Sequence, residues 1–342
     1  MAKKFIAGFL IAAMAISVLF CLSACSEKQL KIVFLGDSIA EAILGPSPLS
    51  ERENYGYYAL VGKRNGFEYV NRSVSGHKSA QLLDLISQET EDARMTVTHI
   101  KTADIIQVSI LGNDMLQSGL SELLVEYARE KRGEIAKDDT YREEILRSSR
   151  ITFAKIIAKL KELNPDAILF IQTVYNPVYD GSPIANATAR GILTSEPYNY
   201  SEADLRVLGG ELLATLNDVV FSYHAENPDD FYIVDVCKAF GEIYDADPVR
   251  GKNLIYPDGI HPSNEGHAVI ADATQSLLET LGLAKKSSSL ISYKKLRLEQ
   301  IKRLYPDVDY YDAKREINDA KSTAEVTEIY FRLTDGHTPA LA

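Results

Sequence analysis

The sequence predicts an α/β protein built on a five-stranded parallel sheet with helices on both faces. Five short apolar runs of strand length alternate with longer segments of helical period, and that alternation arises when parallel strands are joined by crossover helices. Hydrophobic residues make up 46% of the 342-residue chain and charged residues 25%, a composition that can bury a large core and excludes a disordered or collagen-like chain.

The predicted strands are Leu30 to Leu35, Glu68 to Asn71, Ile105 to Ile110, Ala167 to Thr173 and Tyr232 to Val236. Helical periodicity runs through Tyr141 to Leu163, Ser201 to Glu226 and Glu265 to Leu281. Right-handed crossovers put every strand's carboxyl end on one edge, where open α/β proteins bind their ligands. Three connections at that edge, Glu41 to Tyr57, Gln117 to Thr140 and Asn176 to Tyr200, read as loops of a length that is unusual unless functional. The last is a candidate lid; Tyr175, Tyr179, Tyr198 and Tyr200 are candidates to wall a substrate groove, and Ser201-Glu202-Ala203-Asp204 is a capping box that starts the next helix. Lys285-Lys286-Ser287-Ser288-Ser289 reads as a linker. Beyond it, Leu290 to Leu333 is amphipathic, giving two or three short helices that could dock on the main domain or recruit another protein, docking being the favoured reading because short isolated helices are marginal in water.

The N-terminus reads as an address. Lys3 and Lys4 precede an uncharged apolar run, Phe5 to Leu22, and the run stops at Leu22-Ser23-Ala24-Cys25. Small residues before the cut site are what a secretory peptidase needs. The four residues resemble the bacterial lipobox, which implies removal of residues 1–24 and lipid attachment at Cys25, palmitate being one expected acyl group. An uncleaved signal anchor is the alternative reading of an apolar run of this length. The domain plan is therefore 1–24 signal peptide, 25–284 main domain and 285–342 linker with a helical extension.

Charge and cysteine usage exclude several classes. There are 37 Lys and Arg against 48 Asp and Glu, a net charge of −11 that becomes −13 when Lys3 and Lys4 leave with the signal peptide. Nucleic-acid binding needs clustered cations, so no nucleic-acid partner is expected. Three cysteines make no disulfide framework and stand in no zinc spacing; no metal or cofactor is expected. Cys237 reads as a core thiol at a strand end. No P-loop, GxGxxG or HExxH occurs.

The chemistry-bearing residues sit at the predicted edge. Gly36-Asp37-Ser38-Ile39 follows the first strand and projects a hydroxyl there. A serine is a poor nucleophile until an imidazole takes its proton, and the imidazole needs a carboxylate to fix its tautomer. Asp258-Gly259-Ile260-His261-Pro262, just before the last helix, supplies both. Acyl transfer also needs donors for the developing oxyanion. Gly76 after the second strand offers backbone N–H, and Asn113, in Gly112-Asn113-Asp114 after the third, offers an amide. His77 and His267, beside these residues, read as supporting or surface groups.

These four blocks, in this order, resemble the SGNH or GDSL hydrolases. The resemblance covers about residues 30 to 284 and implies a three-layer α/β/α, flavodoxin-like fold and hydrolysis of esters or thioesters. It further implies Ser38 as nucleophile, His261 as general base, Asp258 as its orienter, and an oxyanion hole made by the Ser38 and Gly76 N–H groups with the Asn113 side chain. Gly-Asp-Ser-Ile-Ala fails the GxSxG elbow of the α/β-hydrolases. The expected protein is an exported, lipid-anchored serine esterase with an acyl-ester substrate. A lysophospholipase, lipase or thioesterase is the enzymatic alternative, and a catalytically silent binding lipoprotein the alternative of another class. Only Ser26 to Gln29 separate Cys25 from the first strand, and that strand covers about 20 Å before Ser38, so the catalytic edge is expected to face away from the membrane.

Overall fold

The computed structural model describes residues 29–44, 49–284, 286–334 and 337. The predicted signal peptide and Cys25 lie outside the described residues. β1 (Lys31–Gly36) leads into one turn of helix, α1 (Ser38–Glu41), then α2 (Leu49–Tyr55) and α3 (Tyr57–Asn65). β2 (Glu68–Asn71) is followed by α4 (Ser79–Leu85) and α5 (Glu91–Lys101). After β3 (Ile105–Ser109) come α6 (Gly112–Leu116), α7 (Leu120–Lys131) and α8 (Tyr141–Leu163). β4 (Ile168–Gln172) precedes α9 (Ala187–Thr194) and α10 (Glu202–Glu226). β5 (Tyr232–Val234) precedes α11 (Val236–Ala246), α12 (Pro248–Asn253) and α13 (Asn264–Thr280), and α14 (Lys286–Leu304), α15 (Tyr310–Asp319) and α16 (Thr323–Thr334) complete the order.

The strands pair in parallel in the order β2-β1-β3-β4-β5. The chain steps outward from β1 to β2 and then returns to the other side of β1, so the strand order reverses between β1 and β3. In an open α/β sheet that reversal opens a crevice at the carboxyl edge. Parallel strands covered on both faces read as continuous apolar runs, and β1, β3 and β4 are buried almost throughout, whereas the edge strands β2 and β5 are partly open.

Strand alternation assigns the faces. Val33, Leu35, Ile106, Val108, Leu169 and Ile171 join one core with residues of α4, α8 and α10. Phe34 points the other way, its ring 5.6 Å from Tyr57 and 6.2 Å from Tyr58 of α3. Helices α4, α5, α7, α8 and α10 form one outer layer and α3, α11 and α13 the other. In α8 the apolar residues keep helical spacing: Ile145, Leu146, Phe153, Ile156, Ile157 and Leu160 are all buried, each contributing roughly 1.5–3 kcal/mol by leaving water. Thr140 caps it by accepting from Glu143 N at 3.2 Å.

Three predicted features differ. The segments Glu41 to Tyr57, Gln117 to Thr140 and Asn176 to Tyr200, read as loops, contain α2, α7 and α9. In α7 Leu120, Leu123, Leu124 and Ala128 are buried at i, i+3, i+4 and i+8, a helical stripe that drives the segment onto the core. Cys237 does not end a strand. β5 stops at Val234 because Asp235 caps a helix, accepting from Lys238 N at 3.1 Å, so Cys237 lies in the first turn of α11 and is only half-buried. The supposed linker is helical from Lys286.

The extension has a small core of its own around Tyr293, Ile301, Ile317, Val326 and Tyr330. It packs on α3 and α13. The Arg64 guanidinium lies 3.6 Å from the Tyr293 ring centroid and pairs with Asp272 at 2.8 Å, while Thr327 donates to the same carboxylate at 2.6 Å. Gln300 Nε2 donates to the Asn54 carbonyl at 2.5 Å. No helix among the described residues is long and apolar enough to cross a membrane.

Candidate active site

Gly36 ends β1 opposite Ser109. Its φ is +151° and a Cβ there would lie 2.0 Å from the Ser109 carbonyl oxygen, so only glycine lets the chain turn here. Asp37 then caps the turn, accepting from Ile39 N at 2.9 Å, and Ser38 follows at the crevice, 8% exposed. Burial, helped by the nearby Asp114 charge, pushes the Asp37 carboxyl up to about 7.

The opposite wall is a turn closed by the Tyr256 N to His261 O bond at 2.8 Å and by the Ile255–Pro262 bridge. Gly259 has φ +80°, and a Cβ on it would meet Pro183 Cγ at 2.3 Å, so a glycine lets this turn pack against the segment after β4. Tyr175, buried, donates its hydroxyl to the Ile260 carbonyl at 2.5 Å and holds the turn from below. Ser263 caps Gly266 N and starts α13.

These two walls bring together residues 223 positions apart. His261 Nε2 lies 2.9 Å from Ser38 Oγ, and His261 Nδ1 lies 2.7 Å from Asp258 Oδ2. The other Asp258 oxygen accepts from Ile260 N at 2.9 Å and His261 N at 3.0 Å. An ionised carboxylate only accepts, so Nδ1 carries the ring proton and Nε2 is left to accept from the serine. Hydroxyl, imidazole and carboxylate in such a chain are the arrangement for covalent acyl transfer.

Gly76 and Asn113 stand on the neighbouring loops, after β2 and β3. Asn113 Nδ2 donates one hydrogen to His77 O at 3.0 Å, which fixes the amide plane and leaves its second N–H. Three side chains that sequence reasoning passed over complete the frame. Glu41 accepts from Ser75 N at 2.6 Å and is held by Arg52 at 2.6 Å; Gln117 Nε2 donates to Gly76 O at 2.6 Å. The peptides around Gly76 are thus gripped from the ends of two helices, α1 and α6. Leu111, buried, takes φ +88° just ahead of Asn113, a strained geometry for a branched side chain that persists because the surroundings enforce it.

His267 is no surface group. It is fully buried between the rings of Tyr55 and Tyr57, at 5.6 and 6.1 Å, and burial pulls its imidazole down to about 3. Of the four candidate groove tyrosines, Tyr175 and Tyr179 are buried beside the Asp258 turn. Tyr198 and Tyr200 pack on each other, and Arg132 covers Tyr198. The segment after β4 is tied to its surroundings by Arg190, which pairs with Glu202 and donates to Ser182 O, and by Asn186 N donating to Ser121.

The model of the GDSL-like lipase/acylhydrolase family matches residues 34–269. The chain belongs to that family. It is therefore a hydrolase of ester bonds, and the triad-like chain of contacts falls within the matched residues. Among solved structures, this GDSL hydrolase is similar to a lipase from a goat rumen metagenome (18% identity over 72% of this chain and 97% of that one, TM-score 0.47). It is similar also to the extracellular lipase of Streptomyces rimosus (16%, 72% and 99%, 0.47) and to phospholipase A1 of Streptomyces albidoflavus (14%, 72% and 99%, 0.47). No curated protein matches the chain.

Proposed function

We propose that the protein is a serine esterase that works through an acyl-enzyme on Ser38. The observation that carries this reading is the continuous hydrogen-bond chain from Asp258 through His261 to Ser38 Oγ. Ser38 Oγ attacks the ester carbonyl while His261 Nε2 takes its proton. The resulting oxyanion is held by the N–H groups of Ser38 and Gly76 and by the Asn113 amide. His261 then returns the proton to the departing alkoxide, the alcohol leaves, and the acyl group remains on Ser38 until a water, deprotonated by His261, releases it. Asp258 keeps the ring in the tautomer both steps require. Hydrolysis of p-nitrophenyl acetate tests this: Ser38→Ala and His261→Ala remove the turnover, and a Ser38→Ala protein that kept wild-type turnover would refute it.

The proposed substrates are O-acyl or short acyl esters of the cell envelope, and the proposed location is the extracytoplasmic face of the membrane through a lipid on Cys25. The order Leu22-Ser23-Ala24-Cys25 after an apolar run supports the anchor, and the net charge of −13 left once Lys3 and Lys4 are removed supports little contact with anionic headgroups elsewhere. Palmitate labelling lost in Cys25→Ser tests the anchor. A series of p-nitrophenyl esters from acetate to palmitate tests the acyl preference, and a wide preference for the longest chains would replace the short-acyl reading by a lipase.

A further inference from the structure

The three C-terminal helices supply none of the groups named in the reaction, yet they reach its frame at a defined point. Gln300, in α14, is buried, and its Nε2 donates to the Asn54 carbonyl at 2.5 Å. Asn54 stands in the last turn of α2, where a helix leaves its final carbonyls without partners of its own. In α2 the Arg52 carbonyl is met by Gly56 N at 2.7 Å, the Glu53 carbonyl by Lys63 Nζ and the Asn54 carbonyl by Gln300. The Gln300 amide is aimed in advance. Arg297 Nη1 donates to its Oε1 at 3.0 Å, and Arg297 is itself fixed by the Tyr293 hydroxyl at 2.7 Å and covered by the Tyr330 ring, 4.3 Å away. With its oxygen engaged by the extension, Gln300 has its nitrogen left for α2.

A helix of seven residues does not hold itself together in water, so the place of α2 is set by what it touches. Arg52 Nη1 pairs with Glu41 Oε1 at 2.6 Å, an ion pair largely withdrawn from solvent, with Arg52 11% and Glu41 24% open. The Tyr55 hydroxyl donates to the Ala42 carbonyl at 3.0 Å. Both contacts fall at the end of α1, the single turn that begins at Ser38, and the second oxygen of Glu41 accepts from Ser75 N, next to Gly76. We propose that the C-terminal extension is a positioning element of the active site: Gln300 caps α2, and α2, through Arg52 and Glu41, aligns the Ser38 and Gly76 N–H groups with the oxyanion. This rests on the esterase reading above, and Gln300 itself touches no substrate. The Arg64–Asp272 pair at the same junction joins α3 to α13 instead, so docking of the extension and alignment of the donors are served by different contacts.

The test uses the full chain. Gln300→Glu keeps an acceptor for Arg297, and with it the core of the extension, but loses the N–H that reaches α2; Gln300→Met removes both groups and keeps the volume. In each, kcat on p-nitrophenyl acetate is expected to fall about 5-fold, with KM and the pH profile of kcat/KM unchanged, because donor alignment and not the His261 chain is disturbed. In a Glu41→Ala background the same substitutions should cost nothing further, since the link is already cut. A second readout needs no turnover: in Ser38→Ala, adding Gln300→Glu should quicken amide hydrogen exchange in the peptide that spans Ser75 and Gly76. Unchanged kcat and exchange in a folded Gln300→Glu protein, a loss accompanied by a shifted pH profile, or a loss that adds in full to that of Glu41→Ala would overturn the proposal and leave the hydrolase reading standing. Quicker exchange in a protein whose Ser38 proves unreactive would keep the mechanical link and remove the esterase.

Discussion

At the carboxyl edge of the sheet Asp258 gives its carboxylate to three donors from its own turn and keeps 32% of its side chain open, with His261 18% open beside it. At the junction with the C-terminal helices, Arg64 and Arg297 are each 1% exposed and are held by tyrosine rings, with Asp272 as the paired carboxylate. The first arrangement leaves protons free to move through a short hydrogen-bonded chain. The second fixes charges whose removal would strand a buried partner. Charge at the edge is therefore expected to govern rate, and charge at the junction to govern stability.

The largest expected effect separates the two. Ser38→Ala or His261→Ala should lower kcat by about 10⁴-fold or more while shifting unfolding by less than about 1 kcal/mol in urea titrations. A comparable loss of stability would show that the triad is also structural. Asp272→Ala should do the reverse, costing about 3 kcal/mol because Arg64 remains buried without its carboxylate, with kcat on p-nitrophenyl acetate within about twofold of wild type.

The same contrast explains what the sequence made legible. The chemistry is compressed into short runs in which residue type and position coincide: Gly36 because the turn excludes a Cβ, Ser38 one step past the cap, Asp258 and His261 three apart so that one turn hydrogen-bonds both. β1, β3 and β4 were readable because buried parallel strands leave continuous apolar runs. α2 was hidden behind Gly45, Pro46 and Pro48, which mask periodicity, whereas the α7 stripe was present in Leu120, Leu123, Leu124 and Ala128 and simply competes with a loop reading. The Arg64–Asp272 pair joins positions 208 residues apart and no local pattern announces it. Glu41 and Gln117 look like ordinary surface residues until the fold brings Ser75 and Gly76 to them.

Smaller effects sharpen the edge itself. Glu41→Ala should lower kcat about 10-fold with little change in KM, because the Ser75–Gly76 peptides lose their anchor and the oxyanion donors their alignment. Glu41→Gln, which still accepts from Ser75 N, should recover part of the loss. An equal rise in KM would instead indicate a general loosening of the loop. Asp37 should make the edge sensitive to pH. Its carboxyl titrates near 7 when folded, against about 3.9 in an unfolded chain, so the folded state holds the extra proton between those values. Stability should therefore fall as pH rises from about 4 to 7, by on the order of 1 kcal/mol per pH unit. Asp37→Asn, which can still cap Ile39 N, should flatten that slope in urea unfolding at several pH values; an unchanged slope would place the titration elsewhere.

Reaction of the full chain with a fluorophosphonate, followed by mass spectrometry of the peptides, tests the central claim directly. A single adduct on the peptide containing Ser38, absent in Ser38→Ala and strongly slowed in His261→Ala, is the predicted result. An adduct elsewhere, or labelling of Ser38 at the same rate without His261, would contradict it.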